Sequence, residues 1–480
     1  MTSPAHKHQH SPNQFAVIPT EVRLKADTKH TGKGVTIAFL DSGFSSHPDL
    51  TTPSNRILAY ADVSNEPKTL DSTFAGKDWQ WHGTQTSVVA AGNGHLSDGV
   101  YRGLASKSHL VLVKVSENGR ITEDNIERGL QWILGNRERY NIRVLNISLA
   151  ADEDVPCSRS VIDRLAEKAV QEGIVVVAAA GNSSDRHSIP PANSPSVITV
   201  GGYSDGNRLD EPLELYHSNF GHTADGTLKP ELIAPAMCVA APILLGTPAF
   251  ERAEALSRLI TAPNYELQHL FKQLHAKSGL TGDLLNLGVV TMRREIETAL
   301  NQHKIVATHY QHVDGTSFAA PIVSSIVAQM IEANPSLTPA TIKSILISTA
   351  DRIARAEVLR QGYGVVNARR AVDAAKSEIH QLKTNGCSET RIDNDHLLFV
   401  HHDDEAKMVF VAGDFNDWLH PQTPMTKDAS GMWRVSLPKP VAGRYQYKFV
   451  INGLKWVEDA SNGHKTPDGY GGLNSVLIVE

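Results

Sequence analysis

Three residue types, far apart in this chain, could together transfer an acyl group. Ser317 stands in His312-Val-Asp-Gly-Thr-Ser-Phe-Ala-Ala-Pro321, an Asp-Gly turn that leads straight into an apolar stretch of helical character. A hydroxyl there sits at a helix N-terminus, where unpaired backbone N–H groups and the positive end of the dipole favour developing negative charge. A serine so placed can also be a plain helix cap, so its chemistry depends on partners. Two segments supply them. Val35-Thr-Ile-Ala-Phe-Leu-Asp41-Ser-Gly43 is an apolar, β-branched run ending in a carboxylate. It reads as a buried parallel strand that delivers its acid at the C-terminal edge of an open α/β sheet, where such sheets place their sites. Trp81-His82-Gly-Thr-Gln-Thr-Ser-Val-Val-Ala-Ala91 sets an imidazole beside a glycine at the start of another apolar helix. Asp41 would hold the tautomer, neutral His82 would take the Ser317 proton, and Ser317 would attack a carbonyl carbon.

Such an attack puts negative charge on the former carbonyl oxygen, and a donor must meet it. Ile174-Val-Val-Val-Ala-Ala-Ala180 reads as a second buried strand, and Gly181 lets the chain turn so that the Asn182 amide can face the site. A turn asparagine bonded to its own backbone is the alternative. Other hydrolytic schemes fail on pattern. Ser317 is followed by Phe-Ala-Ala, not set in Gly-x-Ser-x-Gly, and both its partners precede it; no His-Glu-x-x-His is present.

In this order the strings resemble the subtilisin-family serine peptidases, over residues from about 15 to 378. The resemblance rests on Asp41-Ser-Gly with Ser46-His-Pro-Asp-Leu50, His82-Gly-Thr, Val144-Leu-Asn-Ile-Ser-Leu149, Ala178-Ala-Ala-Gly-Asn182, Gly315-Thr-Ser-Phe-Ala-Ala-Pro321 and Gly362-Tyr-Gly-Val-Val-Asn-Ala368. It implies an α/β, three-layer domain with a mainly parallel sheet. Asp41, His82 and Ser317 would form the triad, with Asn182 and the Ser317 backbone N–H as oxyanion donors. An extended polypeptide substrate would be held by Ser148, Leu149 and Ala150 on one side and Ala178, Ala179 and Ala180 on the other, as an added strand. The chain departs from the family in having Ala150-Ala151 where Gly-Gly is usual, which should narrow the first specificity pocket, and Gln85-Thr-Ser after His82-Gly-Thr. No cofactor is required for this chemistry. The resemblance makes Asp49 a candidate Ca²⁺ ligand with the loop Asn93–Asp98, a setting of oxygen donors that suits calcium. Asp41 comes too early for the folding prodomain of secreted members. Phe15-Ala-Val-Ile-Pro19 loosely matches the short extension that intracellular members lay across their site, the alternative being an arm packed on the domain.

The composition fits an ordinary soluble protein: 480 residues, 41% hydrophobic, 20% charged and a net charge of −6. Without a basic block, nucleic acid is not an expected partner, and no apolar stretch approaches the roughly 20 residues that span a bilayer. The N-terminus lacks the apolar core of a secretory signal, and its His6, His8 and His10 read as a polar tail. Three scattered cysteines, Cys157, Cys238 and Cys387, give no disulfide framework, so the expected compartment is the cytoplasm. The expected organisation is an extension over 1–30, a peptidase domain over 31–378, a polar linker over 379–393 and a β-sandwich over 394–480. Within the peptidase domain a helical insertion is expected over about 245–306, from Leu267, Leu270, Phe271, Leu274 and then Met292, Ile296, Leu300 at helical spacing.

The last segment alternates apolar and polar residues between Gly, Pro and Asn, as an immunoglobulin-like sandwich does. Gly413-Asp-Phe-Asn-Asp-Trp418, Gly443-Arg-Tyr-Gln-Tyr-Lys-Phe-Val-Ile-Asn-Gly453, Trp456 and Leu473-Asn474 resemble carbohydrate-binding module family 48, the glycogen-binding module of AMP-activated kinase β subunits. That implies Trp418 and Trp456 stacked on sugar and Lys448 and Asn474 bonded to hydroxyls, with an α-glucan such as glycogen as partner. Trp433 and Phe415 would belong to the core. The leading expectation is thus a cytoplasmic serine endopeptidase tethered to α-glucan. The alternatives are a catalytically silent glucan-binding scaffold, or a peptidase whose module docks protein.

Overall fold

The apolar runs become the interior of one parallel sheet. The computed structural model describes residues 16–64, 69–70, 80–117, 119–151, 155–224, 226–384, 390–393, 396–403, 405–416, 418–420, 423–427, 432–470 and 472–479. Strands Thr36–Asp41 (β1), Ile57–Asp62 (β2), His109–Lys114 (β3), Ile142–Ile147 (β4), Val175–Ala179 (β5), Ile198–Ser204 (β6) and Leu232–Pro235 (β7) lie in the order β7-β6-β5-β4-β1-β3-β2, all parallel. The short strand Glu214–Leu215 pairs antiparallel with β6.

Helices Trp81–Ala91 (α1), Glu123–Asn136 (α2), Val161–Gln171 (α3), Pro248–Thr261 (α4), Asn264–Ser278 (α5), Gly288–Gln302 (α6), Thr316–Ala333 (α7), Pro339–Ser348 (α8) and Ala368–Thr384 (α9) follow along the chain. Period-two alternation sends Ile37 and Phe39 of β1 to the face covered by α1, α7, α8 and α9. Ala38 and Leu40 go to the face covered by α2 and α3. All six residues of β1 are buried, and each large apolar side chain there contributes about 1.5–3 kcal/mol. The expectation that no stretch could span a bilayer is corrected by α7, which is long and apolar enough to do so. Its residues Phe318–Ile331 are buried, so here that composition belongs to a core helix packed against both sheet and neighbouring helices.

Helices α4, α5 and α6 occupy the stretch between β8 and β9. Leu256, Leu259, Leu267, Phe271, Leu274, Met292, Ile296 and Leu300 of α4, α5 and α6 make a core of their own. The insertion leaves on Val239–Pro242 (β8) and returns on Ile305–Ala307 (β9) and Tyr310–Val313 (β10), which pair antiparallel in the order β8-β10-β9.

Residues 16–19 dock as an arm: the Ile18 N–H donates to Asn207 Oδ1, and Asn207 Nδ2 donates to Ala16 O. The His6–His10 tail, Phe15 and Cys387 lie outside the described residues. The linker boundary shifts: α9 continues to Thr384, through residues read as linker, and Arg391–Asp393 (β11) already pairs within the C-terminal module. Lys, Glu, Gln and Ala, which are frequent in α9, are good helix formers, so its polarity does not break the helix.

In the module, strands His396–His402 (β12), Val409–Gly413 (β13), Thr426–Lys427 (β14), Met432–Pro438 (β15), Gly443–Ile451 (β16), Lys455–Val457 (β17), Lys465–Pro467 (β18) and Leu473–Val479 (β19) complete two antiparallel sheets. Phe399, Val411, Trp433, Tyr447, Phe449 and Leu477 fill the space between them, with Phe415 packed on Phe399. The module touches the peptidase domain where the Arg444 guanidinium lies over the Tyr363 ring and donates to its hydroxyl.

Candidate active site

Asp41 ends β1 and is 1% exposed, its charge met from several sides. Oδ1 accepts from His82 Nδ1 at 2.7 Å and from the Ser42 N–H at 2.6 Å, and Oδ2 accepts the Thr86 hydroxyl at 3.1 Å. His82 lies in the first turn of α1, and the glycine after it lets that turn reach the sheet. A Cβ on Gly83 would stand 2.4 Å from Gly43 O and 3.0 Å from Asp41 Cβ. Burial pushes the His82 pKa down, but the Asp41 charge and hydrogen bond outweigh it, so the imidazole titrates above its ordinary value. Gln85, unlike the residue usual in the family, donates from Nε2 to Pro242 O, tying α1 to β8.

Ser317 is half-buried in the first turn of α7, and the Phe318 ring lies 5.8 Å from the His82 ring, so that turn stands beside the imidazole. The Ser317 hydroxyl is directed at Ser148 O at 3.5 Å, and among the described residues it makes no bond to His82. Hydrogen bonds of this kind often tighten only when substrate arrives. The nucleophile turn is held by a chain of polar groups: Ser324 Oγ donates to Asn146 Oδ1, Asn146 Nδ2 to Ser148 Oγ, and Ser148 Oγ to Ser317 O.

Asn182 is exposed toward solvent just past Gly181, whose φ of +103° turns the chain out of the sheet. Its Oδ1 accepts from the Thr316 N–H at 2.9 Å and the Thr316 hydroxyl at 3.1 Å. Two donors on the oxygen fix the amide's orientation, and Nδ2 has no acceptor among the described residues, so it can donate outward. The Ser317 N–H, in the same helical turn, takes no partner among the described residues. The structure therefore brings Asp41, His82, Ser317 and Asn182 to one edge of the sheet.

The family model for the subtilases, Peptidase S8, matches residues 32–364. The chain is 30% identical to serine protease AprX of Bacillus subtilis over 361 residues, 71% of this chain and 67% of that protein. It is 32% identical to Subtilisin BL of Lederbergia lenta over 191 residues, which is 38% of this chain and 63% of that one. The chain belongs to the subtilase family of serine peptidases. Residues 386–465 match the model for carbohydrate-binding module 48, the isoamylase N-terminal domain, so this subtilase carries a carbohydrate-binding module.

The two flanking segments are not equivalent in this subtilase. Ala178 and Ala179 are paired in the central ladder, Ala178 with both Ile147 and Thr199, and the Ala180 N–H donates to Val200 O. β5 is thus bound to β6 through Ala180 but to β4 only through Ala178, so Ala179 and Ala180 have no ladder partner on the β4 side among the described residues. Leu149 and Ala150, past the end of β4, take no backbone partner among the described residues and remain available to an extended chain. Ala151 donates its N–H to Pro190 O, and Ala150 before it is exposed.

Asp49 does not fit Ca²⁺. It is wholly buried, Oδ2 accepts the Tyr310 hydroxyl, Oδ1 accepts the Leu96 N–H at 3.0 Å, and the Arg56 guanidinium donates to Asp49 O. Calcium needs six to eight oxygen lone pairs turned inward, whereas this carboxylate already receives donors on both oxygens beside a cation. Tyr310 comes from the returning strand β10, and only the fold shows that it reaches Asp49.

In the module, Trp418 and Trp456 lie with ring centroids 6.3 Å apart and planes at 33°, with Trp456 41% exposed. Tyr447, Phe449 and Ile451 of β16 face the core, so Gln446, Lys448 and Val450 face outward, and Trp456 is paired with Val450. Asn474 donates from Nδ2 to Gln446 Oε1 at 3.0 Å, and Lys448 pairs with Asp468, holding that carboxyl down at about 2. The structure thus gathers all four predicted residues on one sheet face. Sequence reasoning missed Gln446 and Asp468, which position Asn474 and Lys448, and His420, whose ring meets Trp456 edge-on at 5.6 Å.

Proposed function

We propose that this subtilase is an endopeptidase acting through Asp41, His82 and Ser317, with its C-terminal module tethering it to α-glucan. The pairing of buried Asp41 with His82, on a helix packed against the Ser317 helix, carries the reading. Neutral His82 holds its proton on Nδ1 against Asp41, leaving Nε2 to accept the Ser317 proton as Oγ attacks the peptide carbonyl. The oxyanion falls to Asn182 Nδ2 and the Ser317 N–H, neither of which has another acceptor among the described residues. His82 then returns its proton to the leaving amine, and water repeats the sequence on the acyl-enzyme. No step needs a metal.

The paired indoles offer flat faces to a glucose ring, while Lys448, with two N–H donors beyond its Asp468 bond, and Asn474 stand beside them for hydroxyls. Tethering would raise the peptidase's effective concentration around glucan-associated proteins. Cys238 is a free thiol, which supports the cytoplasm as the working compartment.

Two measurements test the parts separately. A fluorophosphonate probe should label the native chain and not Ser317→Ala; no labelling of the native chain would leave only a silent binding scaffold. Native protein should co-sediment with glycogen and Trp456→Ala should not. If both stay in the supernatant, the module has another ligand.

A further inference from the structure

We propose that Cys238, His312 and Asp314 form a binding site for a thiophilic divalent cation of the zinc type, set beside the nucleophile loop. Cys238 immediately precedes β8, His312 lies on β10, and Asp314 follows β10 three residues before Ser317. Val239 pairs with Val313, so the antiparallel register itself brings the three side chains to one end of the hairpin. One potential ligand atom from each lies within 4.8 Å of the other two.

That spread is close to a metal's requirement. With Zn–S near 2.3 Å and Zn–N or Zn–O near 2.0–2.1 Å, tetrahedral ligand atoms stand about 3.3–3.6 Å apart, so closure needs contraction on the order of 1 Å. The parts are held ready for it. Asp314 Oδ1 is fixed by the Cys238 N–H at 2.9 Å, and Oδ2 by the Lys304 ammonium. His312 Nδ1 is buried with no hydrogen-bond partner among the described residues and lies 4.0 Å from Asp314 Oδ1. An orphaned imidazole nitrogen is costly in a folded chain, and a cation would satisfy it. The groups facing the cluster are Lys304, Asp314, Arg23, which donates to Cys238 O, and Asp205, which is paired with Arg23.

A cavity of about 250 Å³, lined by Val17, Asn207, Cys238, Lys304 and His312 among others, opens onto the cluster. It leaves room for water as a fourth ligand, completing one sulfur, one nitrogen and two oxygens. Binding exchanges the Cys238 thiol proton for the metal and releases that proton to solvent. The soft sulfur and imidazole select zinc or cobalt over calcium or magnesium. The bound ion would join β8 to β10 directly before Gly315-Thr316-Ser317 and so stiffen the nucleophile turn.

The test uses the full chain, stripped with chelator under reducing conditions and titrated with Co²⁺ and then Zn²⁺. One equivalent of Co²⁺ should produce a near-ultraviolet thiolate-to-cobalt charge-transfer band, and Zn²⁺ should displace it. Cys238→Ser should remove the band, Cys157→Ser should keep it, and His312→Ala should weaken Zn²⁺ affinity by at least roughly a hundredfold, more than loss of an outer-shell contact costs. The N-terminal histidines contain no sulfur and cannot mimic this signal. Absence of the band in the native chain, its survival in Cys238→Ser, or unchanged affinity in His312→Ala overturns the proposal.

Discussion

Replacing Asp41 with Asn should reverse the direction in which the protein perturbs His82. In the native chain, burial alone would lower the imidazole pKa, and the carboxylate's charge and 2.7 Å bond carry it above 6.5 instead. The amide keeps the shape. The Ser42 N–H and hydroxyl both donate to Oδ1, so the asparagine oxygen must stay there. Its Nδ2 then faces Thr86 Oγ1, which can accept while donating its own hydrogen to Gly83 O. His82 therefore retains the Nδ1–H tautomer, and only charge is lost. Unit charges about 4 Å apart at an effective dielectric near 20 attract by about 4 kcal/mol. Because the imidazolium exists only in the transition state and intermediate, that loss should lower kcat by about 10³-fold with KM nearly constant. Activity requires neutral His82, so it rises with pH through the folded pKa. The acid limb should lie above about 6.5 in the native enzyme and, with only burial left acting, below it in the variant. Profiles of kcat/KM against pH on a chromogenic peptide measure both quantities. A limb that stays put or moves alkaline, or activity within tenfold of native, refutes the reasoning.

Asn182→Ala should cost roughly 100- to 1000-fold in kcat with little change in KM, since the amide meets charge only as it develops; a change confined to KM would make it a ground-state contact. Ala150→Gly should raise kcat/KM for substrates with a large side chain before the scissile bond relative to those with alanine there. An unchanged ratio in a peptide library would place the pocket wall elsewhere. Phe271→Ala, in the separate core of the insertion, should lose about 3–5 kcal/mol in denaturant unfolding; a loss below about 1 kcal/mol would mean that this core does not unfold with the domain.

The elements were legible where local chemistry and burial agree. Val35–Asp41 and Ile174–Ala180 are apolar on both faces because the parallel sheet is covered on both faces, and Leu267, Phe271 and Leu274 keep helical spacing because one stripe is buried. Motif positions likewise gave the residues that converge at the sheet edge. What the chain order hid were contacts made across the fold. Nothing near Asn146 or Ser324 in sequence indicates that they form a relay to Ser317 O, because a buried asparagine shows only a polar residue in an apolar run. Asp49 keeps a ligand-like motif, yet Tyr310, 261 residues away in the chain, donates its hydroxyl to that carboxylate.

That last contact bears on how the insertion coexists with a site demanding sub-ångström placement. The helices α4, α5 and α6 separate β8 from β10 in the chain, yet Val239–Pro242 and Val313–Tyr310 pair residue for residue. The closure cost of a loop grows only logarithmically with its length, so once the two ends are paired the intervening helices add little to it. Position is then set by register, and slipping it by one residue would turn every side chain on β10 to the opposite face. Tyr310 resists that slip from one end, through its hydroxyl on buried Asp49. The Gly315 N–H resists it from the other, bonded to Ala236 O at 2.8 Å. Ser317 lies two residues beyond that second anchor. Tyr310→Phe, which removes the bond and keeps the ring, therefore perturbs the nucleophile through strand register and not through any contact with substrate.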